Sequence, residues 1–303
     1  MEIPTELKSL YSHWSKHTLA TLGSFPEVKI DEVLLRDVIS FATERMRAWE
    51  NKVNNQPAPY SANPILQKYR FCNIYRELDR QTMEIHRDLL PLKYDFNLWL
   101  LNLAFQRFVC KPETVKHVGH LRFDEGENKL VLERLLELER PKYGTAYVFP
   151  ISAIQRSNYP TREEFFCLYL SQIIPAIAEI IQSFDNTSVQ AALIHILPIF
   201  GFNFKFHWTE ILIDVAYQFP EYIDLNRDFH IGPGALPTLK SLSGDQDLNA
   251  VLNKLATMQL ASFPYLTFEG KAVLLSAENW EGIGCEYRKY TNLLKGAGRR
   301  RKF

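Results

Sequence analysis

Residues 228–240 read DFHIGPGALPTLK and residues 197–202 read LPIFGF, and each stretch puts glycine at a tight turn beside an apolar segment. Gly232 and Gly234 have no Cβ, so the backbone of such a turn can approach a ligand closely. Amides at a turn that opens a helix can also bind a phosphate. A lone GPG turn would favour a simple helix cap over a helix-hairpin-helix turn on a DNA backbone, and the surrounding sequence decides between the two.

The composition sets broad limits on the class of protein. The 303 residues, of which 46% are hydrophobic, suffice for one large domain or two fused lobes. The formal net charge is zero, so the total gives no sign of a strongly basic nucleic-acid binder. Positions 288–303 nevertheless hold seven Lys or Arg residues and no acid. This tail suits a polyphosphate surface, and a solvated end or a nuclear-import-like run explains it equally well.

Cysteine usage and hydropathy predict an intracellular protein, in the host cytoplasm if it is a phage protein and in the nucleus if it is eukaryotic. The four cysteines form no CxxC pair, and no Cys/His cluster has zinc spacing, so we expect neither a structural metal nor disulfides. The N-terminus lacks a signal-peptide pattern. Polar residues and Pro175 interrupt the most apolar run, residues 168–184, which favours a buried helix over a membrane span.

Apolar residues recur at helical spacing along most of the chain, and no strand–helix alternation supports a Rossmann sheet. Asp31 is placed to cap one helix, and Thr161 with Glu164 forms a capping-box pattern that opens another. There is no GxxxxGK[ST] motif, so we do not expect a P-loop kinase. The predicted fold is all-α, with an N-terminal helical extension and loop over residues 1–64 and a helical domain over residues 65–303.

The segment RFCNIYRELDRQT, residues 70–82, carries the first cluster of polar side chains. If residues 69–85 form a helix, Asn73, Arg76 and Arg80 lie on one side of it, at steps of three and four. Asp79 follows Arg76 by three and can hold its guanidinium in a plane that suits a phosphate or carboxylate. A surface ion-pair ladder accounts for the same spacing.

Two further segments place chemistry-bearing side chains near helix ends and turns. In AFQRFVCKPETVKHVG, residues 104–119, Arg107 ends an apolar helix, and Thr114 lies in the PET turn that begins the next. In PKYGTAYVF, residues 141–149, Tyr147 can stack on a base or belong to the core.

The last segment is CEYRKY, residues 285–290. Glu286 and Lys289 are three apart on one predicted helix face. They can serve as a general base and a phosphate ligand, or form an i,i+3 salt bridge.

Taken in order, the motifs are N-x-YRELDR-x-T, FxxRF…PET…G, GTAY, LPxxGF, GPGA and CEYxKY…GxGR. This order resembles the alpha-glutamyl/putrescinyl thymine pyrophosphorylase family, whose members are also described as amino acid:DNA transferases. It is similar as well to the helical domain of the 5-hydroxymethyluracil DNA kinases. The resemblance covers residues 69–303, and the order of the motifs is more specific than any single one.

The resemblance implies an all-α fold similar to helix-hairpin-helix DNA glycosylases and a role in thymine hypermodification, mostly in bacteriophages. A (pyro)phosphorylated 5-hydroxymethyluracil in DNA would receive the nitrogen of an amino acid or polyamine, with release of (pyro)phosphate. The implied partners are DNA with a modified thymine, the amine donor and a DNA-base kinase, and no membrane.

Combining the resemblance with the charge pattern gives three sets of candidate site residues. The catalytic candidates are Arg76, Asp79, Asp214, Glu286 and Lys289. The substrate-binding candidates are Asn73, Arg80, Arg107, Thr114, Tyr147 and Tyr290. The DNA-binding candidates are Gly201, Gly232, Gly234, Lys240, Arg299, Arg300 and Arg301.

Two segments depart from the family pattern. The positions six and three before the Cys285-Glu286 pair, where the pattern has an acid and then a His or Asn, hold Asn279 and Gly282, although Glu281 lies between them. After Gly201 the chain reads NFKFHWTEILID in place of GPFxAYQxxxDL. These changes leave open a different nucleophile or a non-catalytic DNA reader.

The implied reaction makes four demands on the protein. The base has to leave the duplex, usually by flipping. Cationic side chains have to neutralise the leaving group, and a carboxylate has to take the proton of the amine. Backbone amides at the glycine turns and Lys240 would dock the DNA. We expect no cofactor, although Mg²⁺ on a pyrophosphate needs few protein ligands and is compatible with this sequence.

Two alternatives remain open. A helix-hairpin-helix DNA glycosylase, as that resemblance implies, uses an Asp about 20 residues past the hairpin glycine. The acids nearest to that position after Gly201 are Glu221 and Asp224, and after Gly234 the position holds Lys254, so the spacing slightly disfavours this reaction. A non-catalytic DNA-binding helical module would instead bind DNA in a salt-dependent way and convert no base.

Overall fold

A computed structural model of the chain describes residues 1–17, 27–145, 149–150, 154 and 158–298. The chain forms two compact units: unit 1 combines Met1–Asp79 with Asp224–Phe303, and unit 2 is Arg80–Ile223. The described elements are mainly helices, which confirms the all-α prediction. The predicted boundary between residues 64 and 65 lies inside unit 1.

The regular elements are numbered along the chain. The helices are α1 (Thr5–Leu10), α2 (Glu32–Val53), α3 (Pro64–Lys68), α4 (Arg80–Leu89), α5 (Phe96–Val109), α6 (Pro112–Val118), α7 (Glu125–Glu137), α8 (Arg162–Gln182), α9 (Val189–Phe200), α10 (Lys205–Gln218), α11 (Leu236–Ser243), α12 (Leu248–Ala256) and α13 (Ala277–Leu294). The two-residue strands are β1 (Thr187–Ser188), β2 (Ile223–Asp224), β3 (Thr267–Phe268) and β4 (Lys271–Ala272), with β3 antiparallel to β4.

Helix starts follow the side chains that the sequence provides. The Asp31 carboxylate accepts the amides of Val33 and Leu34, so α2 begins at Glu32 as predicted. Thr161 and Glu164 form the predicted reciprocal capping box at the start of α8.

Unit 1 is organised around its last helix. α13 contacts α2, α3, α11 and α12. Its first turn is closed by a capping box between Ser276 and Asn279, and Trp280 is buried directly behind that box. Since α13 touches helices from both segments of the unit, residues that are 200 positions apart in sequence meet on its surface.

Unit 2 is organised around α5, which is buried along nearly its whole length. A helix that is apolar on every side has to be surrounded by other elements, and α4, α6, α8 and α10 contact it. α8 continues through Pro175 and contains a π-helical turn at Phe165–Tyr169. Among the described residues, α8 is long and apolar enough to cross a membrane by length and composition, yet Leu170, Ile174 and Ile177 are fully buried.

The LPIFGF stretch connects α9 to α10 in unit 2. Gly201 ends α9 at φ +124°, a conformation that L side chains rarely adopt, and its amide donates to the Leu197 carbonyl. The two helices contact each other, so this segment is a helical hairpin. A specific likeness to helix-hairpin-helix glycosylases stays a prediction.

The prediction of a helix over residues 69–85 is wrong for its first half. Residues 69–79 are irregular apart from a 3₁₀ turn at Arg76–Leu78, and α4 begins only at Arg80. The reason is local: the Asp79 carboxylate accepts the Asn73 amide at 2.9 Å, and the Asn73 side chain donates to the Leu78 carbonyl at 2.8 Å. Such side-chain bonds to backbone compete directly with helix formation.

Candidate active site

Unit 1 gathers three carboxyl groups around one guanidinium. Glu278 and Glu281 lie three apart in the first turns of α13, and Asp79 ends the 3₁₀ turn that contains Arg76. All three carboxyls interact electrostatically with Arg76. We name Arg76, Asp79, Glu278 and Glu281 the Arg76 cluster.

The carboxyls of the Arg76 cluster titrate near neutrality. Burial raises the pKa of Asp79 to about 6, of Glu281 to about 7 and of Glu278 to about 8, while the charge of Arg76 opposes each rise. Glu278 is only 3% exposed and accepts a hydrogen bond from the Asn279 side chain. A carboxyl with a pKa near 7 is populated in both protonation states at neutral pH, which suits proton transfer.

The raised pKa of Glu278 predicts that Glu278→Gln stabilises the protein at alkaline pH. The folded-state pKa of about 8 exceeds the ordinary 4.5, so the burial of Glu278 carries no ionisation cost below about pH 4.5. The cost grows as the pH rises from 4.5 to 8, because only the unfolded chain releases the proton there, and it is complete above pH 8. We expect the variant to match the wild type at pH 4.5 and to exceed its unfolding free energy by up to about 5 kcal/mol at pH 9, at about 1.4 kcal/mol for each unit of the raised pKa. Urea unfolding at both pH values measures this difference.

The control for that prediction is Glu137→Gln, at an exposed position of α7. It should shift stability little at either pH. An equal gain at pH 4.5 and pH 9 in Glu278→Gln would contradict the proposed ionisation of Glu278.

A second layer of bonds holds Asp79 and its loop in place. Arg45 of α2 donates to the side-chain oxygen of Asn73 at 2.5 Å and to the Phe71 carbonyl at 3.1 Å. Asn73 in turn binds Asp79 and Leu78 through backbone and side chain. Asn73 therefore fixes the loop, and its predicted substrate contact stays a prediction.

The GPGA turn packs against α13 beside this cluster. The Gly232 amide donates to the Glu281 carboxylate at 3.0 Å, and Arg288 donates to the Pro233 carbonyl at 2.7 Å. A Cβ added at Gly234 would lie 2.4 Å from the Cys285 sulfur. Both glycines thus serve close packing on α13, and their DNA contact stays a prediction.

This packing predicts that Gly234→Ala destabilises the protein by about 1–3 kcal/mol, because the added methyl overlaps the Cys285 sulfur. Removing that sulfur in the double variant Gly234→Ala/Cys285→Ala should restore part of the loss. Gly282→Ala is the matched control: no atom lies within 4 Å of its added Cβ, and alanine favours a helix interior by about 1 kcal/mol. Thermal unfolding should therefore move in opposite directions for the two single variants, and equal shifts would contradict the contact.

Glu286, Lys289 and Tyr290 tie the chain segment before Arg76 to α13. The Glu286 carboxylate accepts the Cys72 amide and the Lys289 ammonium, each at 3.0 Å, so the salt-bridge interpretation of their spacing is confirmed. Lys289 also lies 4.5 Å from the centre of the Phe71 ring. The Tyr290 hydroxyl accepts a hydrogen bond from Asn63. Catalytic or substrate roles for these three residues stay predictions.

The structure places Arg107 and Asp214 in unit 2, where they form a two-pronged ion pair. Two guanidinium nitrogens of Arg107 donate to the two Asp214 oxygens at 2.5 Å. The His86 ring lies 3.0 Å from the same carboxylate, which is completely buried. Burial alone would raise the pKa of Asp214, but Arg107 and His86 together bring it well below its ordinary value. Such a carboxylate is a poor proton acceptor, which favours a structural role.

The remaining candidates are dispersed. Arg80 is largely exposed and pairs with Glu84 on α4, while the Thr114 hydroxyl donates to the Lys142 carbonyl. Lys240 is exposed on α11. Tyr147, Arg299, Arg300 and Arg301 lie outside the described residues.

Sequence reasoning missed Glu278 and Arg45 and gave Glu281 no role. The signal for the two glutamates was present, because Ser276 opens a helix and places Glu278 and Glu281 on its first turns. Arg45 carried no signal, since it reaches Asn73 across 28 positions of sequence. Within the described ranges, no three His, Cys, Asp or Glu side chains are arranged to hold a metal ion.

Comparison with known proteins gives the class and then the family. The chain is an all-α protein whose unit 1 contains the Arg76 cluster. Its residues 32–298 match the family described as 5-hmdU DNA kinase, helical domain. The chain belongs to this family, which confirms the resemblance to that helical domain and extends it toward the N-terminus.

A relative in Bacillus phage SP10 carries the name 5-hmdU DNA kinase. It is 22% identical over 283 residues, which cover 82% of this chain and 43% of the relative. The chain therefore spans less than half the length of that protein. No solved structure matches the chain.

Proposed function

We propose that this protein acts in thymine hypermodification of DNA. In this proposal it transfers an amine nitrogen onto (pyro)phosphorylated 5-hydroxymethyluracil at the Arg76 cluster. Membership of the 5-hmdU DNA kinase helical-domain family and the name of the phage relative support a substrate with this base. The observation that carries the choice of site is the set of three carboxyls, with pKa values of about 6, 7 and 8, around one guanidinium.

The reaction uses both a carboxylate and the guanidinium of the Arg76 cluster. The donor ammonium loses a proton to a carboxylate, and its lone pair forms a bond to the 5-methylene carbon of the base. The bond between that carbon and the phosphate oxygen breaks, and the (pyro)phosphate leaves with the electron pair. Arg76 would neutralise the leaving group, and the secondary ammonium that forms gives a further proton to solvent.

Glu281 is the carboxylate best placed for the proton transfer. It is half-buried, whereas Glu278 is almost fully buried, and burial raises the pKa of Glu281 to about 7. The hydrogen bond from the Gly232 amide fixes its orientation. An ordinary glutamate, with a pKa near 4.3, would hold a proton far less well.

The remaining parts of the proposal follow from the sequence. The modified base would flip out of the duplex, and the Gly201 hairpin, Lys240 and the basic tail would hold the DNA. A DNA-base kinase would supply the activated base, with Mg²⁺ accompanying the pyrophosphate if needed. The protein would act on DNA inside the cell, with no membrane partner.

Nucleoside mass spectrometry tests the function. DNA carrying 5-hydroxymethyluracil, its phosphate or its pyrophosphate is incubated with the protein, with and without ATP, and with a pool of amino acids and polyamines. A thymidine–amine adduct from the activated DNA supports transfer and identifies the donor. Phosphorylation of the unactivated base with ATP, or no product from any substrate, would overturn the proposed transfer reaction.

Base excision is the alternative reaction, although the acid spacing slightly disfavours it, and Asp224 is the acid that it would use. This residue follows the hairpin glycine Gly201 by 23 positions, is 8% exposed, and pairs with Arg227 at 2.9 Å. Abasic sites in the same assay would favour excision over transfer. Salt-dependent DNA binding with no product would favour a non-catalytic reader.

A further inference from the structure

The segment over residues 1–17 lies outside the match to the family, which begins at residue 32, yet it contacts the 3₁₀ turn that carries Arg76. The Tyr11 hydroxyl donates to the Glu77 carbonyl at 2.8 Å, and Nε2 of the His13 ring lies 2.8 Å from a Glu77 carboxylate oxygen. Glu77 follows Arg76 directly in that turn. The N-terminal segment therefore helps to fix the turn from which the guanidinium of the Arg76 cluster extends.

The fold encloses the His13–Glu77 pair almost completely. His13 is 0% exposed and Glu77 is 2% exposed. A carboxylate that has lost its hydration is costly unless a positive charge or hydrogen bonds compensate for it. The second carboxylate oxygen of Glu77 accepts no hydrogen bond from any residue that the structure describes. His13 is therefore the described hydrogen-bonding partner that stabilises this carboxylate.

A second imidazole lies beside His13. The centre of the His17 ring is 5.0 Å from that of the His13 ring. Burial lowers the pKa of His17 well below its ordinary value, and the charges of His13 and Lys16 add to this effect. Two adjacent imidazolium ions would repel each other, and a neighbouring carboxylate favours the charged form of a ring. The arrangement therefore favours a charged His13 beside a neutral His17.

The charge of Glu77 also acts on the Arg76 cluster. Burial raises the pKa of Glu278, the charge of Arg76 opposes the rise, and the charge of Glu77 adds to it, as do those of the other two carboxylates of the cluster. Outside the cluster, Glu77 adds to the raised pKa of Tyr75, which is mainly due to burial. A negative charge at Glu77 that is not balanced would therefore favour the protonated, uncharged form of Glu278.

We propose that His13 is a positioning residue for the Arg76 cluster: as an imidazolium bonded to Glu77, it fixes the turn that carries Arg76 and balances a buried negative charge that acts on Glu278. The cluster then depends on a side chain from a segment that the family match does not include. This balance of charges is independent of any reaction. Its contribution to the transfer rate alone rests on the proposed function.

A carboxyl ¹³C NMR titration of the full chain, labelled at glutamate, tests the balance of charges. The Glu278 resonance is assigned by its absence from the spectrum of Glu278→Gln. Glu77→Gln removes the negative charge and should lower the pKa of Glu278 by about one unit. His13→Gln keeps a donor at Nε2 but removes the positive charge, and should raise that pKa by a similar amount. In the double variant His13→Gln/Glu77→Gln both charges are gone, and the pKa of Glu278 should return close to its wild-type value of about 8.

His120→Gln is the matched control. It removes an imidazole that also pairs with a carboxylate, that of Asp88 in unit 2, at 2.6 Å, and it should leave the pKa of Glu278 unchanged. An unchanged pKa of Glu278 in His13→Gln, together with a lowered one in Glu77→Gln, would show that His13 is uncharged and would overturn the proposal. Shifts in the same direction in both single variants would indicate a general disturbance of the turn and would overturn it as well.

Thermal unfolding shows whether each variant is folded. If His13→Gln alone does not fold, recovery of folding in the double variant would support the balance of charges, because two neutral side chains leave no buried charge. An unfolded double variant would contradict it. In the transfer assay, a slower reaction in His13→Gln but not in His120→Gln would support the contribution to the rate. Absence of transfer by the wild type would remove that contribution only, since the NMR titration decides the balance of charges without it.

Discussion

Replacing Arg107 by alanine is expected to destabilise the protein by about 3–5 kcal/mol, the range for breaking a buried ion pair. The substitution leaves the Asp214 carboxylate without its two strongest hydrogen bonds in a site that water does not reach. The Thr82 hydroxyl, which lies 3.3 Å from Arg107, also loses its partner. Urea unfolding followed by circular dichroism measures the loss.

Arg80→Ala is the matched control, because it removes the same side chain from an exposed ion pair with Glu84. It should change stability by less than about 1 kcal/mol. The paired replacement Arg107→Met/Asp214→Leu should recover part of the loss, since no unpaired carboxylate stays buried, while His86 still loses its contact with Asp214. A stable Arg107→Ala protein would contradict the structural role of the pair.

The same double variant tests whether Arg107 and Asp214 belong to the site. If it folds and transfers the amine at the wild-type rate, the predicted substrate contact of Arg107 and catalytic role of Asp214 are both removed. A folded but inactive double variant would restore them to the site.

Glu281→Gln is expected to lower the rate of amine transfer by about 10²–10⁴-fold, the usual contribution of a general base. The amide keeps the shape of the side chain and its hydrogen bond from Gly232 but cannot take a proton. Single-turnover formation of the thymidine adduct, followed by mass spectrometry, measures the rate.

The pH profile separates this catalytic role from a structural one. The wild-type rate should rise as the pH passes through about 7, where Glu281 ionises, and this rise should disappear in Glu281→Gln. Glu137→Gln, at an exposed position, should leave both rate and profile unchanged. An unchanged rate in Glu281→Gln would place the proton transfer elsewhere in the Arg76 cluster.

Local sequence was sufficient for most helices. Asp31 and Thr161 cap their helices through amides within a few positions, and α5 is apolar on nearly every side. The sequence pattern alone therefore predicted these helices. The wrong prediction, a helix over residues 69–79, arose where Asn73 and Asp79 bond to backbone and outweigh helical spacing. Helix propensity alone does not show whether the helical backbone bonds or the bonds of Asn73 and Asp79 to backbone form.

The candidate site also combines features that the sequence predicts with features that only the folded structure shows. The sequence by itself determined the helical class, the family resemblance and the order of the motifs, because these depend on residue type and spacing. Tertiary structure alone decided which charges meet: Arg76 joins Glu278 and Glu281 from 200 positions away, while Asp214 pairs with Arg107 in unit 2. Burial and distance set the strength of charge interactions, and both are properties of the folded chain.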